Sequence, residues 1–95
     1  RMEVKKSIQN FRQEIDLIDS QIIQLLMNRF LMVDEIKQIK RAEKLPIEDK
    51  LREEEIFNRI SCVNFDNQKI NKDIFENIYK VYRTILSEGK KRQSP

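Results

Sequence analysis

Residues 7–44 read SIQNFRQEIDLIDSQIIQLLMNRFLMVDEIKQIKRAEK, and the spacing of the apolar side chains in this stretch decides the fold. Ile8, Phe11, Ile15, Ile18, Ile22 and Leu25, then Val33 and Ile36, follow one another at intervals of three or four or at twice that interval. That rhythm describes one face of an α-helix. Neither Gly nor Pro interrupts it, and Ser7 is a suitable residue to cap its start. The helix ends at Leu45-Pro46, because the residue before a proline is pushed out of the helical region.

Working outward, a second periodic segment runs from about 49 to 63, with Ile56 and Ile60 on one face. Residues 64–68 form a polar connector in which Asp66 or Asn67 is placed to cap the next helix. A third segment runs from about 70 to 88 and carries Ile74, Phe75, Ile78, Val81, Tyr82 and Ile85, with 74, 78, 81 and 85 centring its inner arc. Gly89 stands where a C-terminal cap is expected, and Lys90, Lys91 and Arg92 in the tail 89–95 read as a solvated end. With one Gly and two Pro in 95 residues, sheets and tight turns lack their usual residues. The chain reads as a single all-α domain over 1–95, a three-helix protomer with one long N-terminal helix.

That helix is too long for its own domain. At about 1.5 Å per residue it spans roughly 55 Å, whereas a compact domain of this size has a radius of gyration near 13 Å, again roughly. Two shorter helices cannot cover its whole stripe, so an intertwined homodimer is expected.

Composition narrows the function. Charged residues make up 37% of the chain, 19 basic against 16 acidic, and the two signs are interleaved. No face therefore reads as a phosphate-backbone footprint, and no nucleic-acid partner is expected. No apolar run approaches the roughly 20 residues a membrane span needs, no signal peptide is seen, and the lone Cys62 suits a reducing compartment. No membrane partner is expected, and the location expected is cytoplasmic. With no His at all, His-based triads, proton shuttles and zinc sites are excluded, as is a Gly-rich phosphate loop. No metal and no cofactor are expected.

Two cations sit in the wrong place for a solvated helix. Extending the first stripe at its own spacing reaches residue 29 between Leu25 and Val33, and residue 40 beyond Ile36; these are Arg29 and Lys40. Arg12 lies on the flank of the same arc, beside Phe11. Long basic side chains often snorkel out of an apolar face to water. Two at the centre of one stripe demand more, since a buried unpaired cation costs several kcal/mol and needs an anion. The anion is either a carboxylate of the protein or an anionic ligand. On the second helix Asp49, Arg52 and Glu53 share the face of Ile56 and Ile60, which turns them towards the same layer. The plainer alternative is an ordinary solvated face with pairs such as Glu55 and Arg59.

These residues resemble a known family. Arg12-x-x-Ile15-Asp16-x-Ile18-Asp19, Leu25-Leu26-x-x-Arg29 and Ile36-x-x-x-Lys40 are similar to the first helix of AroQ-type chorismate mutases. Pro46-Ile47-x-Asp49-x-x-Arg52-Glu53 is similar to the turn and second helix, and Ile74-Phe75-x-x-Ile78 to the start of the third. The resemblance implies an all-α dimer that converts chorismate to prephenate, a pericyclic reaction needing no nucleophile, metal or acid–base pair. It also implies roles: Arg29 and Arg52 for the two substrate carboxylates, with Arg12 reaching in from the other protomer, and Lys40 donating to the breaking ether oxygen. Glu53 would accept from the ring hydroxyl, with Asp49 positioning that region.

The third helix departs from the pattern. The family places a small polar residue there and, four further on, Gln or Glu as a second donor to the ether oxygen. Anchoring on Phe75 puts Tyr82 and Leu86 at those places, and leucine cannot donate; an alternative register gives Thr84 and Glu88. A tyrosine at that place is also compatible with isochorismate pyruvate lyase, a relative of the same fold. A weakly active regulatory domain and a non-enzymatic helical adaptor remain as further alternatives.

Overall fold

The computed structural model describes residues 1–62 and 72–95. Three helices and no strand occur among them: α1 (Met2–Glu43), α2 (Lys50–Cys62) and α3 (Lys72–Gln93). The all-α, three-helix expectation holds for these residues. The expected connector at 64–68, and the caps Asp66 and Asn67, lie outside the described residues. None of the helices, over the described residues, is long and apolar enough to cross a membrane.

The described chain forms two compact units, Arg1–Met32 and Val33–Pro95, with α1 belonging to both. In the first unit the apolar stripe lies open: Ile8 is 46% exposed, and Phe11 and Leu25 65% and 66%. Helix α1 begins at Met2 and not at Ser7, so Ser7 is an ordinary helical residue and no cap. Lys5 N–H donates to the Arg1 carbonyl, which carries the helical ladder back past the expected start.

The second unit holds the core, in which Val33 of α1 and Ile56 and Ile60 of α2 are buried. Helices α2 and α3 pack together through a stack of Phe57 on Tyr79, ring centroids 5.6 Å apart and planes at 17°. The Tyr79 hydroxyl meets the Ser61 hydroxyl and also donates to the Phe57 carbonyl at 3.3 Å. Such a pair adds about 1 kcal/mol beyond the area it buries, and it fixes how α3 lies along α2.

Local chemistry sets the two ends that matter for the site. Lys44 has φ 56°, the left-handed conformation that closes a helix. Its N–H donates to the Arg41 carbonyl at 3.4 Å, and that of Leu45 to the Lys40 carbonyl at 2.8 Å, a Schellman closure. Pro46 then prevents any continuation. Asp49 caps α2, its carboxylate accepting from the Arg52 N–H at 3.0 Å.

Helix α3 departs from its expected end. It runs through Gly89 to Gln93, and Gly89 is buried within it and not left-handed. The inner arc also turns: Val81 is 58% exposed, while Ile78, Tyr82, Ile85 and Gly89 face inward. At 3.6 residues per turn that arc continues to residue 93. Replacing Ile56 by Ala is expected to cost about 2 kcal/mol or more, read as a lower urea midpoint at fixed protein concentration; an unchanged midpoint would deny that Ile56 anchors the core.

Candidate active site

The cations expected from the sequence divide between the two units. Arg12 is exposed and Arg29 half-buried in the first unit, while Lys40, Asp49, Arg52 and Glu53 belong to the second. In the second unit the Schellman closure and Pro46 bring the chain back beneath α1, which presents the carbonyl of Ile47 to Lys40. The half-buried Lys40 ammonium donates to that carbonyl at 2.8 Å and to the amide oxygen of Gln93 at 2.7 Å. An ammonium only donates, so the Gln93 amide must turn its oxygen inward.

Both partners of Lys40 are neutral, and among the described residues no carboxylate pairs with it. Beside it lies a recess of about 290 Å³ lined by Lys37, Lys40, Arg41, Lys44, Ile47 and Gln93, together with Leu45 and Pro95. Four cations and no acid line that space, which suits a small anion. The described residues contain no group of three His, Cys, Asp or Glu side chains able to hold a metal.

Ile47 is also a wall of a neighbouring recess of about 440 Å³, where Glu53, Phe57, Arg83, Leu86 and Lys90 converge. Glu53 is mostly covered, and the Lys90 ammonium stands 2.5 Å from its carboxylate and 3.4 Å from that of Glu48. The hydrogen bond to Glu53 raises the Lys90 ammonium above its ordinary value. Arg52 behaves otherwise. It is exposed and pairs with Glu55 at 3.1 Å along α2, so it does not join Lys40 here, and Glu55 pairs with Arg52 and not with Arg59. Asp49 acts through the backbone, its cap setting where α2 begins and hence where Arg52 and Glu53 lie.

The α3 residue against Lys40 is none of the four expected. Tyr82 is half-buried without reaching it, Leu86 lines the second recess, Thr84 is exposed and donates to the Lys80 carbonyl, and Glu88 pairs with Lys91 on the surface. Gln93 takes the place, seven residues beyond Leu86. Seven residues make about two turns, which preserves the face and moves the position roughly 10 Å along the axis. The signal was present in the sequence. Val81-Tyr82-x-x-Ile85 repeats the pattern of Ile74-Phe75-x-x-Ile78 one heptad later, and the same count from Tyr82 reaches Gly89, a small residue, and Gln93, an amide.

The family model for chorismate mutase type II matches residues 11–94, which include Lys40, Glu53 and Gln93. This chain belongs to the type II chorismate mutase family. It is similar to a bifunctional chorismate mutase/prephenate dehydratase of Aquifex aeolicus (strain VF5), 32% identical over 88 residues. The match covers 86% of this chain and 22% of the relative, so the chain spans about a fifth of that protein's length. No solved structure is significantly similar.

One further contact bears on the site. Arg92 grips Asp34 of α1 with two bonds, Nε to Oδ1 at 2.9 Å and Nη2 to Oδ2 at 2.5 Å. Those bonds hold the Asp34 carboxyl below its ordinary value, against an opposing push from burial. A carboxyl lowered on folding stabilises the fold above its unfolded pKa, and the effect is lost as pH falls through the folded one. The raised Lys90 stabilises below its unfolded value and loses the effect only as pH rises through the folded one. Both contributions are therefore present at neutral pH. Asp34→Asn is expected to be less stable than the parent at neutral pH, with the difference closing as acid protonates Asp34; a difference that persists in strong acid would mean the charge of Asp34 is not its source.

Proposed function

We propose that this chain is a chorismate mutase, rearranging chorismate to prephenate as part of aromatic amino-acid synthesis. The observation that carries the reading is the Lys40 ammonium, half-buried, held only by neutral oxygens, at a recess lined by cations. A pericyclic rearrangement needs a compact conformer of a flexible dianion, and positive charge where the breaking ether oxygen gathers electron density. Lys40 already points its protons at neutral acceptors that a more negative oxygen would outcompete. As the ether oxygen enters, the Gln93 amide turns over and donates its N–H beside that of Lys40, giving two donors that act most strongly in the transition state.

The other roles follow the family. Arg29 and Arg52 bind the carboxylates, and Arg12 joins them from a second copy of the chain. For Arg52 this means leaving Glu55, which costs little because exposed pairs contribute about 1 kcal/mol or less. Glu53 accepts from the ring hydroxyl; a carboxylate has lone pairs to spare beside Lys90. Asp49 keeps Arg52 and Glu53 in register through its cap. The working form is a homodimer, supported by the open stripe from Ile8 to Leu25, which a second copy would cover. The exposed free thiol of Cys62 suits the cytoplasm.

The direct test monitors chorismate absorbance as prephenate appears; release of pyruvate from isochorismate, with chorismate untouched, would replace this reading with a lyase. Lys40→Ala should lower kcat by about a hundredfold or more and raise KM far less, and an unchanged kcat removes Lys40 from the chemistry. Gln93→Leu should also act mainly on kcat. Sedimentation should give a dimer at micromolar concentration, and a folded monomer there would sink the shared site.

A further inference from the structure

The tail Lys90-Lys91-Arg92 looks like a solvated end in the sequence, yet two of its three cations cross to other helices. Lys90 reaches Glu53 of α2 and Glu48 just before it, and Arg92 takes Asp34 of α1 in a two-pronged grip. Lys91 alone stays on its own helix, beside Glu88. The two crossing residues lie within the last turn of α3, immediately before Gln93, where the helix ends.

A helix end has little hold on its own geometry. The last carbonyls lack helical partners, and terminal turns fray with opening free energies near zero. Lys90, Lys91 and Arg92 are good helix formers, but Gly89, one turn before Gln93, is the weakest non-proline one. The Gln93 side chain nevertheless meets Lys40 at 2.7 Å. Its amide N–H donates to the Gly89 carbonyl at 3.5 Å within its own helix, but docking that turn against α1 needs a contact that crosses between the helices. The fork of Arg92 on Asp34 fits that need, because two parallel bonds fix orientation as well as distance. Asp34 lies six residues before Lys40 on α1, so the same helix supplies the anchor and the ammonium.

We propose that Arg92 is a positioning residue, its paired bonds to Asp34 docking the last turn of α3 on α1 so that the Gln93 amide stays on Lys40. Lys90 braces the same turn against α2. The pair is partly exposed, with 47% of the Arg92 side chain and 34% of that of Asp34 open. Its effect is thus on the geometry of the amide far more than on overall stability. The inference rests on the reading of Lys40 and Gln93 as the two donors.

The test compares Arg92→Ala, Asp34→Ala and the reversed pair Asp34→Arg/Arg92→Asp, with Lys91→Ala as the control. Each single change should lower kcat roughly tenfold or more while KM stays within about twofold. The reversed pair should recover most of the loss, and Lys91→Ala should match the parent. Arg92→Lys should recover only part, because an ammonium lacks the fork. In the unliganded protein, hydrogen exchange at the backbone amides of residues 90–93 should quicken in Arg92→Ala and return in the reversed pair. Unchanged kcat, or a loss that the reversed pair does not restore, overturns the inference. If the parent itself turns over no chorismate, the functional reading fails, and the exchange rates alone decide the docking: quickened and restored sustains it, unchanged ends it.

Discussion

An ammonium taken partly out of water and given no carboxylate is the constraint around which the second unit is arranged. Lys40 loses part of its hydration and receives in return two neutral oxygens, from Ile47 and Gln93. Neutral acceptors return less than a carboxylate would, so the site retains appetite for negative charge. Each neighbouring feature serves that placement. The left-handed Lys44 and Pro46 fold the chain back to bring up the Ile47 carbonyl, the Phe57–Tyr79 stack sets α3 along α2, and α3 continues far enough to deliver an amide. A carboxylate in place of either oxygen would satisfy the lysine and leave a salt bridge where there is now a receptive cation.

Much of this was legible in the sequence. The unbroken spacing from Ile8 to Ile36 marked α1, Leu45-Pro46 marked its end, and the centring of residue 40 on the stripe marked Lys40, all through short-range rules the backbone obeys directly. Asp49 was legible as a residue that matters for Arg52 and Glu53, though its physical action is a cap. What misled was α3. A heptad shift leaves every side chain on nearly the same face, so apolar periodicity cannot separate Phe75 from Tyr82 as the anchor. Reading Gly89 as a terminator then removed Gln93 from the helix altogether. Glycine ends helices often but not by necessity, and here the helix passes through it in ordinary conformation.

The tail shows a related ambiguity. Three consecutive basic residues have the same composition whether they wave in water or reach across to acids on other helices. What distinguishes them is where Asp34, Glu48 and Glu53 lie in space, separated from the tail by dozens of residues. Arg52 is the converse case: its spacing placed it on an inward face, yet an acid three residues along its own helix holds it outside.

The buried Gly89 has an effect that reaches past geometry. A glycine one turn before a helix end weakens the final segment, so the docking of residues 90–93 on the other helices leans on charges that stand partly in solvent. Mobile ions at molar strength shrink electrostatic reach to about 3 Å while leaving apolar packing intact or tighter. The docking of that last turn and the helical fold therefore have separate weak points. Concentrated salt would loosen the amide from the ammonium while circular dichroism still reported an intact helical protein.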